Sequence, residues 1–212
     1  KLHIAKNLKV LDVSGNPISA KGIGGLAVLE QLEELLVRST EIDDDGAADV
    51  AKILSLKVLD LSSTQVTRDA MVHLGKLPYL AQLSLNGNDI GDEALHEISR
   101  LKRLKQLHVS NTRVTCRSSK DIAGLINLEV LNVSSTNISD ESLTNLSRLT
   151  TLRTAWIFGN CPNVTDAGAT RFKESLPQCV VYWWARECDP GMWAGARGSW
   201  GIRRSRSRRW WC

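Results

Sequence analysis

Leucine recurs every 24 residues along most of this chain, at positions 8, 32, 56, 80, 104, 128 and 152. A second apolar column follows three residues later, at Leu11, Leu35, Leu59, Leu83, Leu107, Leu131 and Ala155. A third follows two residues after that, at Val13, Val37, Leu61, Leu85, Val109, Val133 and Ile157. A fixed period of this length is the signature of a repeat architecture, in which each unit packs only against its neighbours. The chain is therefore predicted to form a stack of seven similar units.

Each unit is predicted to contain a strand followed by a helix. The pattern L-x-x-L-x-L has apolar residues at alternate positions in its second half, which indicates a short strand with one buried face. Later in the unit, apolar residues return at three-residue spacing, as in Met71, Leu74 and Leu77, which indicates a helix with one buried stripe. Helix-capping residues come before most of these stripes, at Ser19, Asp43, Thr67, Gly91, Thr115, Ser139 and Thr165. In the fifth unit we expect the helix to start late, with Ser119 as its N-cap.

A column of polar side chains follows each predicted strand, at Asn16, Thr40, Thr64, Asn88, Thr112, Thr136 and Asn160. The turns of neighbouring units leave backbone N–H and C=O groups that need partners. We expect this column to provide them as a ladder of hydrogen bonds between neighbouring turns.

The pattern L-x-x-L-x-L-x-x-(N/T)-x-(I/V) resembles the leucine-rich-repeat superfamily, most closely its ribonuclease-inhibitor-like and F-box-associated types. The stretch from Asn160 through Cys161 to Val164 resembles the cysteine-containing repeat of F-box proteins. The resemblance covers about residues 2–182. It implies an α/β fold: a right-handed solenoid, or horseshoe, with a parallel β-sheet on the concave face and short helices on the convex face. It also implies that the concave face recognises a protein partner.

Three segments are predicted. Residues 1–7 match the end of a truncated preceding repeat, and residues 8–184 form the leucine-rich-repeat domain, which ends in a closing strand. Residues 185–212 are rich in Arg, Trp and Gly, lack the repeat and are expected to be irregular. The chain carries a net charge of +4, and this basic tail accounts for it. Nucleic-acid binding is therefore expected only if the tail itself contacts RNA.

Residues that alternate with the buried leucines are expected to point to the concave face. One such column, which runs from Asp12 through Asp60 to Trp156, changes at nearly every step although the core columns hardly vary. We select ten residues of this face as candidates for partner binding: Asp12, Glu34, Arg38, Asp60, Ser84, Gln106, His108, Asn132, Trp156 and Phe158. The first half of the face has an acidic character. Trp156 and Phe158 are expected to anchor a partner at its far end.

The sequence offers no recognisable catalytic apparatus, and we expect no cofactor or metal. Its four His are scattered, at positions 3, 73, 96 and 108. Asp60 and His108 belong to strands two units apart, about 10 Å, which is too far for a hydrogen-bonded pair. The glycines at 22, 24 and 25 lack the Lys-Ser/Thr of a phosphate loop, and metal-ligand spacing is absent. A non-enzymatic scaffold for protein–protein interaction is the function that these observations favour.

Two alternatives remain open at the level of sequence. The chain could be the substrate-recognition part of an F-box-type ubiquitin ligase, which requires an F-box before Lys1. It could instead be a surface or secreted receptor, because four Asn-x-Ser/Thr sequons begin at residues 132, 137, 145 and 163. Five Cys without a C-x-x-C pair favour reduced thiols and a cytoplasmic location. No apolar run reaches the length of a membrane span. The partner's identity and the oligomeric state are left open.

Overall fold

A computed structural model of the chain describes residues 7–159 and 161–183. Within these residues the strands are β1 (Val10–Asp12), β2 (Glu34–Leu36), β3 (Val58–Asp60), β4 (Gln82–Ser84), β5 (Gln106–His108), β6 (Val130–Asn132), β7 (Thr154–Trp156) and β8 (Val180–Tyr182). The helices are α1 (Ala20–Ile23), α2 (Asp44–Val50), α3 (Arg68–Leu74), α4 (Asp92–Ile98), α5 (Ser119–Ala123), α6 (Asp140–Leu146) and α7 (Asp166–Ser175). Short 3-10 turns cover Leu26–Val28 and Cys116–Ser118. The segments predicted at 1–7 and 185–212 lie almost wholly outside the described residues.

The strands form one open sheet in the order β1 to β8, and each strand pairs in parallel with the next. Up to β7, the register places each residue beside the one 24 positions later, as Leu35 lies beside Leu59. A helical segment provides each crossover that parallel neighbours require. The predicted fold class, a leucine-rich-repeat solenoid, is thus confirmed.

The apolar columns form one continuous core between the sheet and the helices. Leu35, Leu59 and Leu83 on successive strands are at most 1% exposed, and the helical stripe of Met71 and Leu74 is fully buried. In the first unit, Leu8, Leu11 and Val13 are only partly buried, because no earlier unit among the described residues covers them. Each unit thus depends on its neighbours for burial of its apolar face.

The fifth unit departs from the others at the start of its helix. Thr115 caps a 3-10 turn by accepting a hydrogen bond from the Arg117 amide, and the α-helix begins only at Ser119. The delayed start is confirmed, but the prediction of Ser119 as N-cap is wrong. Its side chain is buried and donates to the Cys116 carbonyl at 2.7 Å, while accepting from Asn145 Nδ2 at 3.0 Å.

The polar column works mainly inside its own unit. Thr40 and Thr136 each donate a hydroxyl hydrogen bond to the carbonyl three residues earlier, at 2.6 and 2.5 Å. Asn88 Nδ2 donates to the carbonyl of Leu85 at 3.1 Å and also to Leu61 O of the preceding unit at 2.8 Å. The predicted ladder between units is therefore present between Thr64 and Asn88, because Asn88 Oδ1 also accepts from the Thr64 backbone N at 2.9 Å and from its hydroxyl at 3.2 Å. The other threonines close their own turns. Asn160 lies outside the described residues.

Each turn also contains one residue with a left-handed backbone. The φ angles lie between 52° and 81° at Gly15, Ser39, Ser63, Gly87, Asn111, Ser135 and Gly159. Glycine adopts this conformation without a steric cost, whereas Ser and Asn are strained there by about 1 kcal/mol. The four units with Ser or Asn keep the turn because strands and helix on either side are fixed by packing.

Acidic residues at the helix starts connect neighbouring units. The Asp92 carboxylate accepts from the backbone N of Thr115 at 2.8 Å and from its hydroxyl at 2.6 Å. Asp44 holds Thr67 in the same way, and Asp140 holds Thr165. The helix dipole favours negative charge near a helix start. The structure shows that these acidic residues also bind the capping threonine of the next unit.

We expect Asp92→Ala to lower the free energy of unfolding by about 1–3 kcal/mol, because it leaves the half-buried Thr115 amide without its partner. The control is Asp89→Ala in the same turn, which removes only an exposed ion pair with Arg113 and should cost about 0–1 kcal/mol. Urea unfolding of both variants checks the difference. Equal effects would show that the Asp92–Thr115 contact does not connect the units.

The candidate partner-binding face

The strand register brings the central candidate column into one row across the sheet. Asp12 lies beside Leu36 and then Asp60, and the row continues through Ser84, His108, Asn132 and Trp156. Glu34 and Gln106 lie in a parallel row that begins each strand. Most of the ten candidates are half-buried; Asp12, Arg38 and Phe158 are exposed. The concave face is the side of the sheet opposite the buried Leu column.

Three rings form an aromatic cluster at the far end of the row, made of His108, Trp156 and Tyr182. The ring centroids of His108 and Trp156 are 5.9 Å apart with a 34° tilt. Trp156 and Tyr182 are also 5.9 Å apart and stack within 10°. Spacings of this kind are those of favourable aromatic pairs. The cluster is therefore a preformed surface that needs little ordering when a partner binds.

Tyr182 is the member of the cluster that sequence reasoning missed. It is 46% exposed and extends the row onto the closing strand β8, where it lies beside Trp156. The sequence does contain a signal for Tyr182, because Val180-Val181-Tyr182 repeats the strand pattern of the preceding unit after a spacing of 26 rather than 24 residues. Phe158 is 39% exposed just past the end of β7. Within the described residues, the closing strand thus enlarges the aromatic surface rather than covering it.

Polar residues of the row are partly used in holding their own turns. Asp60 Oδ1 accepts from the Ser62 amide at 2.8 Å, and Asn132 Oδ1 accepts from the Ser134 amide at 3.0 Å. Asp12 accepts from the Ser14 amide in the same manner, and this bond lowers the pKa of its carboxyl. Hydrogen bonds to the charged form explain that direction. These groups remain acceptors for a partner, but their orientation is already fixed.

Burial dominates the electrostatics of His108. Its desolvation lowers the pKa of the imidazole below the ordinary value, and the charge of Asp60 opposes this only in part. The ring is accordingly neutral near pH 7 and presents an apolar side to Trp156.

As the pH falls, the unfolded chain should take up a proton at His108 before the folded chain does, because folding lowers the pKa of His108. Stability contributed by the neutral ring is then present above the ordinary pKa and is lost as the pH falls through it. We expect the melting temperature of the wild type to fall more than that of His108→Gln between about pH 8 and about pH 5.5. Parallel curves for the two proteins would contradict this account of His108.

Residues 7–159 and 161–183 contain no group of three or more His, Cys, Asp or Glu placed to hold a metal ion. None of the helices described is long and apolar enough to cross a membrane. Cys116, Cys161 and Cys179 are free thiols, and burial raises the pKa of Cys179 to about 11. Such a thiol is a poor nucleophile at neutral pH.

Comparison with known proteins agrees with the repeat architecture. A family model described as leucine-rich repeat matches residues 5–27, 76–99 and 124–147. Among solved structures, internalin C2 of Listeria monocytogenes is similar, with 21% identity and a TM-score of 0.63 over 83% of this chain and 80% of that chain. A search of curated protein sequences gave no match.

The fold and the face described above are those of a repeat solenoid that carries a sheet on one side and helices on the other. The three matched segments and the similar solved structure support a leucine-rich-repeat fold for this chain. Its assignment to the ribonuclease-inhibitor-like or F-box-associated type stays a prediction.

Proposed function

We propose that this chain is a non-enzymatic scaffold that captures a protein partner on its concave face, with the aromatic cluster as the anchor. The observation that carries the proposal is the stacked row of His108, Trp156 and Tyr182, which is preformed and partly exposed. Rigid aromatic side chains provide a large contact area at a small entropic cost, and they dominate the energetics of many interfaces.

Charge divides the concave face into two halves. The concave positions of β5 to β8 carry no Asp, Glu, Lys or Arg. The first three strands, in contrast, present Asp12, Glu34 and Asp60, with Arg38 beside them. A matching partner places an apolar or aromatic side chain against the cluster and a cationic side chain towards Asp60. Charge complementarity of this kind sets the orientation of a bound partner more than its affinity.

A narrower form of the proposal is the substrate-recognition part of an F-box-type ubiquitin ligase. What supports it is Cys161, whose Sγ lies 3.8 Å from Phe158 O and 3.7 Å from Val133 O of the preceding unit. These contacts reproduce those of Asn88 with Leu85 O and Leu61 O, so a cysteine fills the polar column in the last unit. A cytoplasmic location belongs to the same proposal and is supported by the three free thiols.

Selection of peptides from a displayed random library on the full chain tests the proposal. Bound peptides should lose at least tenfold in affinity for Val130→Lys/Thr154→Lys, which places two long cations on the concave face. The matched control is Val72→Lys/Thr144→Lys, the same residue types and charge change on exposed helical positions. The affinity of this control for the selected peptides should stay within about twofold of that of the wild type. A larger loss of affinity in the helical variant than in the concave-face variant would place the binding surface on the helices and overturn the proposal.

A further inference from the structure

A second charged surface lies away from the concave face, where the helices lead back to the strands. We call it the basic edge and define it by residues 51–57, 75–81, 99–105, 124–129 and 147–153. Its charged residues are nine bases and one acid, namely Lys52, Lys57, Lys76, Arg100, Lys102, Arg103, Lys105, Arg148, Arg153 and Glu129. Acidic residues lie mainly at the helix starts, such as Asp45 and Glu141. The equivalent segment of the first unit carries Glu30 and Glu33, and Glu33 pairs with Lys57 at 2.7 Å.

The helix dipole accounts for only part of this edge. Bases are favourable within the last turn of a helix, and the effect falls off beyond it. α4 ends at Ile98, yet Arg103 and Lys105 follow it by five and seven residues. Arg153 likewise follows the end of α6, at Leu146, by seven residues. Interaction with helix ends therefore does not explain the outermost cations.

A groove of about 450 Å³ crosses the basic edge between the segments leading into β4 and β7. Ala81 makes room for it, because the equivalent positions in the next three units carry the long side chains of Lys105, Glu129 and Arg153. Tyr79 closes one end, with the guanidinium of Arg103 5.1 Å from its ring centroid. Such a position orients the Arg103 cation over the aromatic face.

Two cations of the groove have no acid beside them in the described part of the chain. Lys105 pairs with Glu129 at 3.0 Å, whereas no described acid lies within ion-pair distance of Arg103 or Arg153. These two arginines belong to units two strands apart, a step of about 10 Å. Both are exposed. Arginine is well suited to bidentate binding of carboxylates.

We infer that the basic edge binds an acidic protein segment that also carries apolar side chains. Exposed apolar groups lie among the cations: Leu54 is 60% exposed, Tyr79 51% and Ile126 67%. They offer apolar contact that a phosphate backbone does not use. An extended segment of about five residues spans the distance from the β4 unit to the β7 unit. This surface is separate from the concave face and does not depend on the function proposed above.

The test uses the full chain and a fluorescent 12-residue peptide in which Asp and Leu alternate. We expect binding that weakens with salt, as charge-driven association does. Arg103→Glu/Arg153→Glu should weaken it at least tenfold, and Arg103→Lys/Arg153→Lys, which keeps the charge but loses the bidentate geometry, should weaken it less. The matched control is Arg117→Glu/Lys120→Glu, which has the same charge change at exposed positions outside the basic edge. It should stay within about twofold of the wild type.

Every variant contains the Arg-rich tail, so its contribution cancels in these comparisons. Equal losses in the two Glu variants would overturn the inference, because general charge and not the groove would then hold the peptide. A single-stranded oligouridylate that binds more tightly than the peptide, with loss in Arg103→Glu/Arg153→Glu, would reassign the groove to nucleic acid. Binding to anionic vesicles in preference to the peptide would reassign it to a membrane surface. Melting curves confirm that each variant is folded.

Discussion

Replacement of Trp156 with Ala is expected to weaken binding of a concave-face peptide by at least about 30-fold, or about 2 kcal/mol, the loss typical of a central anchor. Trp156 is the middle ring of the cluster, and its removal leaves His108 and Tyr182 without the ring that both contact. The peptide is one selected on the wild-type chain, and isothermal titration measures its affinity. Trp156→Phe should recover part of the loss because it keeps an aromatic ring.

Tyr79→Ala is the control for this prediction. Tyr79 is also a large exposed ring, at 51%, but it lies on the basic edge and away from the sheet face. Its removal should change the affinity for the selected peptide by less than about twofold. Both variants should melt close to the wild type, because neither ring is part of the buried core. Full affinity in a folded Trp156→Ala protein would remove the aromatic cluster from the proposal.

Leu107→Ala is expected to lower the free energy of unfolding by about 2–5 kcal/mol. Leu107 is fully buried in β5, in the middle of the stack, with Leu83 and Leu131 beside it on the adjacent strands. Truncation removes apolar contact and leaves a cavity that the rigid neighbouring units cannot fill. Because each unit is buried only by its neighbours, the loss weakens the contact between the two halves of the solenoid.

Gln106→Ala on the same strand is the matched control. Gln106 lies next to Leu107 but points to the concave face, so its truncation should cost less than about 0.5 kcal/mol. Urea unfolding followed by circular dichroism gives both values. A loss below about 1 kcal/mol for Leu107→Ala would mean that this column does not carry the core.

Features that repeat every 24 residues could be predicted from the sequence, and the reason is physical. The Leu columns, the capping residues and the face on which Trp156 lies follow from alternation and period alone. The departure of the fifth unit from the repeat was predicted only in part. Its helix starts late as expected, but the Ser119 side chain bonds Cys116 and Asn145 instead of capping that helix. That contact depends on the sixth unit, which local patterns do not contain.

Four further features could not be predicted from the repeat pattern. The bond from Asp92 to Thr115 joins residues 23 positions apart, and neither residue type alone indicates a partner. Tyr182 was not predicted as part of the concave face because the last unit is two residues longer and shifts the period. The left-handed turns at Ser39 and Ser63 are hidden because serine, unlike glycine, does not indicate such a conformation. The basic edge was missed because its residues lie in loop columns whose members vary.

Photocrosslinking at two single positions tests the central claim, capture of a partner on the concave face, most directly. A photoreactive phenylalanine analogue replaces either Gln106, beside the aromatic cluster on β5, or His73, exposed on α3. Irradiation with the selected peptide should give a covalent adduct from position 106 and none from position 73. An adduct from position 73 with none from position 106 would contradict binding on the concave face.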